Sequence, residues 1–475
     1  MATISHFPTA NSWLDRRWFY EERAASPANE SGHFYHQLLR NYYSFLVPPG
    51  AKILEVGCGA GDLLAAVRPE RGVGIDFSAK MVSLAGRRHP GFEFNVADAA
   101  SFSGEEKFDY ILIADLINDL PDVQAVFEHL HKHAHANTRL VLNFFNNLWH
   151  PLIALGEKVG IKSPSLPQNW LSSDDVGNLL HLAGWEVVKT EQRILWPFGT
   201  PVIGPLLNRF VAPLLSHCCL TVFMVARPKP RPASEQHYKC SIVIPARNEA
   251  GNIEEAIRRT PEIGLGCELI FVEGHSKDDT WQEIQRLTKE YSERNIKVIK
   301  QQSKGKGGAV REGFAVATGD LLFILDADLT VPPEDLPKFY EIIRSGTADF
   351  VNGVRLVYPM QDEAMRFLNM VANKLFGLAF SWLLGQKIKD TLCGTKVLFR
   401  ADYEMIAKNR AYFGDFDPFG DFDLLFGATK LNLRLMDLPI RYRARTYGET
   451  NIHRWQHGWL LLRMVLFAAR SLKFL

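Results

Sequence analysis

Asp326 and Asp328, one residue apart, follow the apolar run Leu321-Leu322-Phe323-Ile324-Leu325. Alternation along an extended chain puts both carboxylates on one side, and two hard oxygen ligands there suit Mg2+ or Mn2+ bridging a diphosphate. A metal so held would neutralise charge on a departing group, as Lewis acid and template. A different chemistry attaches to Ile53-Leu54-Glu55-Val56-Gly57-Cys58-Gly59-Ala60-Gly61. Glycines closing an apolar run let the backbone approach a ligand, and a helix expected from Asp62 would offer it orphan N–H groups. A second run, Gly72-Val73-Gly74-Ile75, ends in Asp76, roughly 20 residues on, where an acid would bind ribose hydroxyls.

Other loops collect around each signature. In the first half a third apolar segment leads to Asp98, and a fourth, Phe108 to Ala114, precedes Asn118 and Asp119. These two stand near an acceptor or cap the helix begun by Pro121-Asp122. His129, His131, His133 and His135 include pairs one helical turn apart, but without acidic or cysteine partners they read as a solvated helix end. In the second half, Ser241 to Ile244 runs into Pro245-Ala246-Arg247-Asn248-Glu249, and Glu268 to Val272 into Glu273-Gly274. Lys304-Gly305-Lys306-Gly307-Gly308 then enters a helix carrying Arg311. No Gly-Lys-Ser/Thr follows, so this is not a P-loop, yet it can bring a lysine and helix N–H groups to a phosphate.

The elements that must position these residues alternate short apolar runs with helical patterns in both halves. That alternation predicts α/β folds, each a mostly parallel sheet covered by helices. A chain of 475 residues suits two or three domains. The proline-rich stretch Ala226 to Gln236 predicts a semi-rigid linker, which gives domains over 1–226 and 239–475 joined by 227–238. Lys plus Arg (54) balances Asp plus Glu (53), so no global field points to nucleic acid. The six cysteines form no CxxC pair, which fits a reducing, cytoplasmic compartment. The N-terminus lacks a signal-peptide pattern, and no uninterrupted apolar stretch reaches the roughly 18 residues of a membrane span.

Taken in series, the glycine loop, Asp76 and Asp98 resemble class I S-adenosylmethionine-dependent methyltransferases over about residues 40–226. The resemblance implies a Rossmann-like domain in which Gly57, Gly59 and Gly61 hold the methionine part of S-adenosylmethionine. It gives Asp76 the ribose, Asp98 the adenine, and Glu55 the support of the loop. A nicotinamide fingerprint would instead expect glycine at position 62, where Asp stands.

From about Cys240 to Tyr447 the chain resembles family-two glycosyltransferases of the GT-A fold, most closely the dolichyl-phosphate mannose synthase-like branch. The resemblance places Pro245, Asn248, Glu249 and Glu273 against the nucleoside of a nucleotide-sugar, with Lys306 in the nucleotide loop. Asp326 and Asp328 would hold the metal, with Thr330 a further candidate. The usual Asp-Asp after strand two is Glu273-Gly274 here, which leaves the base and sugar unassigned. Arg355 and Arg366 match arginines that bind an acceptor phosphate; their other role would be surface pairing. Asp390 to Lys396 resembles the branch's turn before the next strand, and Asp421 and Asp423 fall where other members keep a general base. A sugar hydroxyl acceptor needs such a base, whereas a polyprenyl phosphate is already anionic and needs cationic positioning.

Two segments suggest contact with a membrane surface. Met365 to Leu384 is apolar apart from a stripe of Arg366, Asn369 and Asn373, and Trp459 to Leu475 carries Arg463, Arg470 and Lys473. Both read as amphipathic helices at a bilayer interface, or as helices packed on the domain or a second subunit. The expectation is a bifunctional enzyme peripheral to the inner face of the cytoplasmic membrane. Its second half would transfer a sugar, with inversion, to polyprenyl phosphate, and its first half would methylate the lipid-linked product or a glycan. The alternative is transfer to a sugar hydroxyl in polysaccharide synthesis, with the first half a non-catalytic binding module.

Overall fold

The computed structural model describes residues 19–22, 30–159, 166–230, 237–355, 357, 367–410, 421–443, 445, 447 and 454–475; side chains of 30–32, 367–373, 421 and 454–461 are not described. The chain forms two compact units, Met1–Lys229 with Phe474–Leu475, and Pro230–Lys473. All six cysteines are free thiols.

The first unit is built on β1 (Lys52–Val56), β2 (Arg71–Asp76), β3 (Glu93–Val96), β4 (Phe108–Ile113), β5 (Ala134–Phe145), β6 (Trp185–Arg193) and β7 (Thr221–Pro228). Their order in the sheet is β3-β2-β1-β4-β5-β7-β6. The first five run parallel, and β7 runs against both β5 and β6. Helices cover both faces, so β1 buries side chains on both of its sides: Leu54 and Val56 join one core cluster and Ile53 the other. The chain builds outward from β1 first towards β3 and then towards β5. The carboxyl ends of β1, β2 and β4 therefore meet at the point where the order reverses, which is where open α/β sheets bind ligands.

Two expectations are corrected in this unit. Ala226, Arg227 and Pro228, read from sequence as linker, are the end of β7. Ala226 pairs with Leu140 and Val187, and buried Arg227 holds Glu186 at 3.0 Å. Pro228 comes last, so its missing N–H interrupts no further pairing. The histidines are not a solvated helix end. The helix Val123–His131 stops before His133, which is buried and stacked 4.2 Å from Phe102. His129 Nε2 lies 2.7 Å from the Phe102 carbonyl, and His135 Nε2 lies 3.1 Å from Asp109.

The second unit contains β8 (Cys240–Ala246), β9 (Cys267–Glu273), β10 (Ile296–Lys300), β11 (Leu321–Ile324), β12 (Phe350–Val354), β13 (Lys396–Phe399) and β14 (Leu435–Pro439). The sheet order is β10-β9-β8-β11-β13-β12-β14. β13 runs against β11 and β12; the other neighbours are parallel. Because Phe323 pairs with Val397, the loop entering β13 lies at the end where the chain leaves β11. The helix Gly305–Ala315 approaches the sheet closely: a Cβ on Gly313 would lie 2.4 Å from Val243.

The two amphipathic segments are helical over Phe367–Leu384 and Arg454–Leu472. The polar stripe of Arg366, Asn369 and Asn373 lies outside the described residues and side chains. Lys473 does not join an outward basic face; it is buried, with its ammonium 5.9 Å from the Trp382 ring centre. Arg463 and Arg470 are exposed beside Leu462 and Leu466. Among the described residues no helix is long and apolar enough to cross a membrane.

Candidate functional sites

At the carboxyl end of β1, Gly57, Gly59 and Gly61 all take positive φ (73°, 50° and 78°), a turn that side chains on those residues would strain. Gly57 and Cys58 donate their N–H groups to the Ile75 carbonyl at 2.8 and 3.0 Å, tying the loop to β2. Glu55 is buried beneath it and accepts the Leu64 N–H at 3.0 Å, which anchors the helix Asp62–Ala66; burial pushes its carboxyl well above the usual range. Asp76 closes the loop from β2, accepting Gly59 N–H at 3.0 Å and Ser78 N–H at 2.9 Å. Burial raises its pKa too, because those two bonds only partly replace water. Asp98, after β3, caps its own turn by accepting Ala100 N–H at 2.7 Å.

After β4 the expected pair separates. Asn118 neither caps the helix nor points to solvent: it is buried, donates to the Asn169 carbonyl at 2.7 Å and accepts Phe145 N–H at 3.0 Å. Asp122 is the cap, accepting Ala125 N–H. Asp119 accepts from Gln168 at 3.2 Å and from the Tyr20 hydroxyl. Asp115, not singled out from sequence, has φ of 53° and accepts from Tyr35 Oη at 2.8 Å and Asn143 Nδ2 at 2.6 Å. An acid directly after an apolar strand was the available signal.

In the second unit the loops after β8 and β9 interlock. Asn248, at φ 57°, donates its N–H to Ser276 Oγ at 3.0 Å and accepts Lys277 N–H at 2.8 Å. Glu249 N–H reaches Thr280 Oγ1 at 2.9 Å, and Glu273 accepts Ser276 N–H at 2.5 Å. Pro245 is the penultimate residue of β8, opposite Val272. Beyond β11, Asp326 meets Lys306 Nζ at 2.5 Å, while Asp328 meets Arg445 at 2.7 Å and Thr330 Oγ1 at 2.8 Å. Arg445 also reaches Glu249 at 3.2 Å. Burial alone would raise Asp326, but Lys306, with Lys396 and Arg355 beyond it, holds its carboxyl below the ordinary value. Glu249 goes the other way, pushed up to about 7 by burial despite Arg445, with Asp328 and Asp326 adding repulsion.

Gly394, in the loop entering β13, closes this cluster. A Cβ there would lie 2.0 Å from Asp326 Oδ2 and 2.2 Å from Lys306 Nζ, so only glycine leaves the carboxylate its place. Among the described residues no group of three or more His, Cys, Asp or Glu could hold a metal ion. Two hard carboxylates do fit a divalent cation whose remaining ligands are diphosphate oxygens and water.

Residues 31–190 match the family model described as a methyltransferase domain, and residues 241–413 match that of glycosyl transferase family 2. Residues 31–190 are thus a methyltransferase domain and residues 241–413 a family-two glycosyltransferase domain. Both are enzyme families. The chain is 37% identical over 139 residues to dolichol-phosphate mannosyltransferase of Pyrococcus furiosus, covering 29% of this chain and 38% of that protein. It is 25% identical over 214 residues to undecaprenyl-phosphate 4-deoxy-4-formamido-L-arabinose transferase of Edwardsiella ictaluri, covering 44% and 62%. It thus spans less than two thirds of either relative. Among solved structures, magnesium protoporphyrin IX methyltransferase from Synechocystis PCC 6803 with bound SAH aligns at a TM-score of 0.32 and 19% identity, covering 46% of this chain and 96% of that one.

Within the glycosyltransferase domain, Arg355 is fixed. Its guanidinium holds the fully buried Asp390 at 2.7 and 2.9 Å, its own N–H adds a third contact at 3.1 Å, and the Tyr442 ring lies 5.2 Å away. Surface pairing does not describe it. Asp423 is paired with Arg410 at 2.7 Å, so its carboxylate already has a cation beside it. Arg366 and the side chain of Asp421 lie outside the described residues. Arg445, which joins Glu249 to Asp328, was missed from sequence because no local pattern marks a lone arginine beyond the last strand.

Proposed function

We propose that the glycosyltransferase domain transfers a sugar from a nucleotide-sugar to a polyprenyl phosphate. The observation that carries this reading is the cluster of Lys306, Arg445, Asp326 and Asp328 at the exit of β11, with Arg355 locked onto Asp390 nearby in the chain's next loops. A polyprenyl phosphate oxygen attacks the anomeric carbon in line, the bond to the diphosphate oxygen breaks, and the sugar inverts. The acceptor is already an anion, so positioning by cations replaces a general base. Asp326 and Asp328 would hold Mg2+ or Mn2+, which when bound supplies charge neutralisation on the departing nucleotide. Lys306 and Arg445 supply further positive charge, and the loops bearing Asn248, Glu249 and Glu273 form the nucleoside side. The relatives' printed names, both polyprenyl-phosphate glycosyltransferases, support this acceptor.

The methyltransferase domain would hold S-adenosylmethionine in the Gly57–Gly61 loop with Asp76 on the ribose and Asp98 by the adenine, and methylate the lipid-linked product. Exposed Leu375, Leu378, Leu462 and Leu466 with Arg463 and Arg470 support peripheral attachment to the inner face of the cytoplasmic membrane. The test combines the protein with labelled nucleotide-sugars, a divalent metal and polyprenyl phosphate. Label should enter the lipid fraction; label only in soluble glycans would sink the phosphate-acceptor reading. Asp328→Ala should abolish transfer and leave S-adenosylmethionine binding intact. Calorimetry that finds no such binding, or binding indifferent to Asp76→Ala, would remove the methyltransferase half of the proposal.

A further inference from the structure

The methyltransferase domain carries an apolar surface that its own fold does not bury. Leu148, Leu152, Leu155 and Val159 recur at helical spacing along the short 3-10 turn Asn147–Trp149 and the helix His150–Lys158, and each is between 56% and 64% exposed. A helix ordinarily turns such a stripe inward, and a contiguous exposed one marks an interaction face. A second segment, residues 194–220 between β6 and β7, exposes Val202, Ile203, Leu206, Leu214 and Leu215. Arg209 is the only charged residue in its sequence.

These two segments share a root. Trp149 Nε1 donates to the Cys218 carbonyl at 2.9 Å, and Asn146 Nδ2 donates to the carbonyls of His217 and Cys219 at 3.1 and 3.0 Å. The root sits at the cofactor end of the sheet, because Phe145 closes β5 and its N–H is held by Asn118 from the loop after β4. Rings line the way between: Tyr35, on Asp115, lies 6.2 Å from Phe145; Phe145 lies 6.4 Å from Trp170; and Trp170 stacks 4.4 Å from His150. A file of rings thus runs from Asp115, after β4, to the apolar rim.

We propose that this rim rests on an anionic lipid bilayer, and that the methyl acceptor is the headgroup of an amphiphile resident in that bilayer. The inference rests on the methyltransferase reading and names its acceptor class. Three features favour lipid over protein as the occupant. The rim's charged residues are Lys158 and Arg209 with a single acid, Glu157, which suits anionic headgroups. Trp149 and Trp196 both have their indole N–H satisfied within the domain, Trp196 by Thr200 at 2.6 Å, so a partner need supply no acceptor. Leucine, valine and isoleucine offer area without the polar rim that gives a protein interface its register.

Flotation of the full chain with phosphatidylcholine vesicles, with and without phosphatidylglycerol, tests the surface. The triple variant Leu148→Ser, Leu152→Ser, Leu155→Ser should lower vesicle partitioning by about tenfold or more, and Leu152→Asp alone should lower it measurably. S-adenosylmethionine binding should be unchanged in both, which separates a lost surface from a lost fold. Partitioning unaffected by either variant overturns the proposal, as does self-association of the parent protein that the variants abolish without changing vesicle binding. For the acceptor, labelled methyl should appear in the organic phase when membrane lipid extract is supplied; label confined to water-soluble glycans overturns that part. Absence of S-adenosylmethionine binding in the parent protein removes the methyltransferase reading instead, whatever the vesicles show.

Discussion

Arg355 and Asp390 meet as a two-pronged pair in which the carboxylate has no exposure at all. Removing one partner of such a pair strands the other without water. Arg355→Ala should therefore lower the stability of the glycosyltransferase domain by about 3–5 kcal/mol in denaturant titration. Arg355→Lys, with its charge kept and its fork lost, should fall between the two. Glu249 makes the opposite kind of pH statement. Its folded pKa of about 7 lies above its ordinary 4.5, so its contribution is present at low pH and lost as pH rises through 7. Glu249→Gln should accordingly raise the melting temperature relative to the parent more at pH 8 than at pH 5, and an equal effect at both would contradict the burial argument. At this scale the acids were legible, as were Lys306 and Arg355, but Arg445 was not. Asp326 and Asp328 announce themselves by following an apolar run, whereas Arg445 acquires its role from Asp328, 117 residues away in sequence.

Elements explain why those cations and acids converge. β11 is only four residues long, and β13 beside it runs the other way, so the loop entering one strand abuts the loop leaving the other. Gly394 is the contact point, and Gly394→Ala should cut sugar transfer by roughly a hundredfold or more, since it would displace the carboxylate and lysine on which the proposed transfer relies. Circular dichroism and S-adenosylmethionine affinity should not change. Strand ends were readable from sequence because apolar runs closed by glycine or acid are local signals. The antiparallel β13 was not, since Lys396–Phe399 pairs with partners fixed only by the whole sheet. Pro228 and His133 show the same limit: local composition suggested linker and solvent, and tertiary pairing put one in a strand and the other in the interior.

At the scale of the molecule, two compact units each own a seven-stranded sheet and a core. Ligand linkage should therefore act on one unit at a time. S-adenosylmethionine at a hundredfold excess over its Kd should stabilise the methyltransferase transition by about 2.7 kcal/mol and leave the other transition in place. Calorimetry checks this, and a single transition moving as one would tie the units together energetically. The tandem order of the domains was legible from the two signatures, while the apolar rim was not, because Leu148 to Val159 reads as an ordinary buried helix face until its exposure is known.

The bridge from Arg445 to Asp328 and Glu249 also carries a consequence for synthesis. A growing chain emits Glu249 and then Asp328, and the arginine that holds both follows 117 residues after Asp328. At about 5–20 residues per second, on the order of ten seconds separate the two. The methyltransferase domain leaves the ribosome with every strand in hand, but the sugar-transfer centre stays unlatched until Arg445 has emerged. A message cut short after β14 would yield the full second sheet and a centre lacking its clasp.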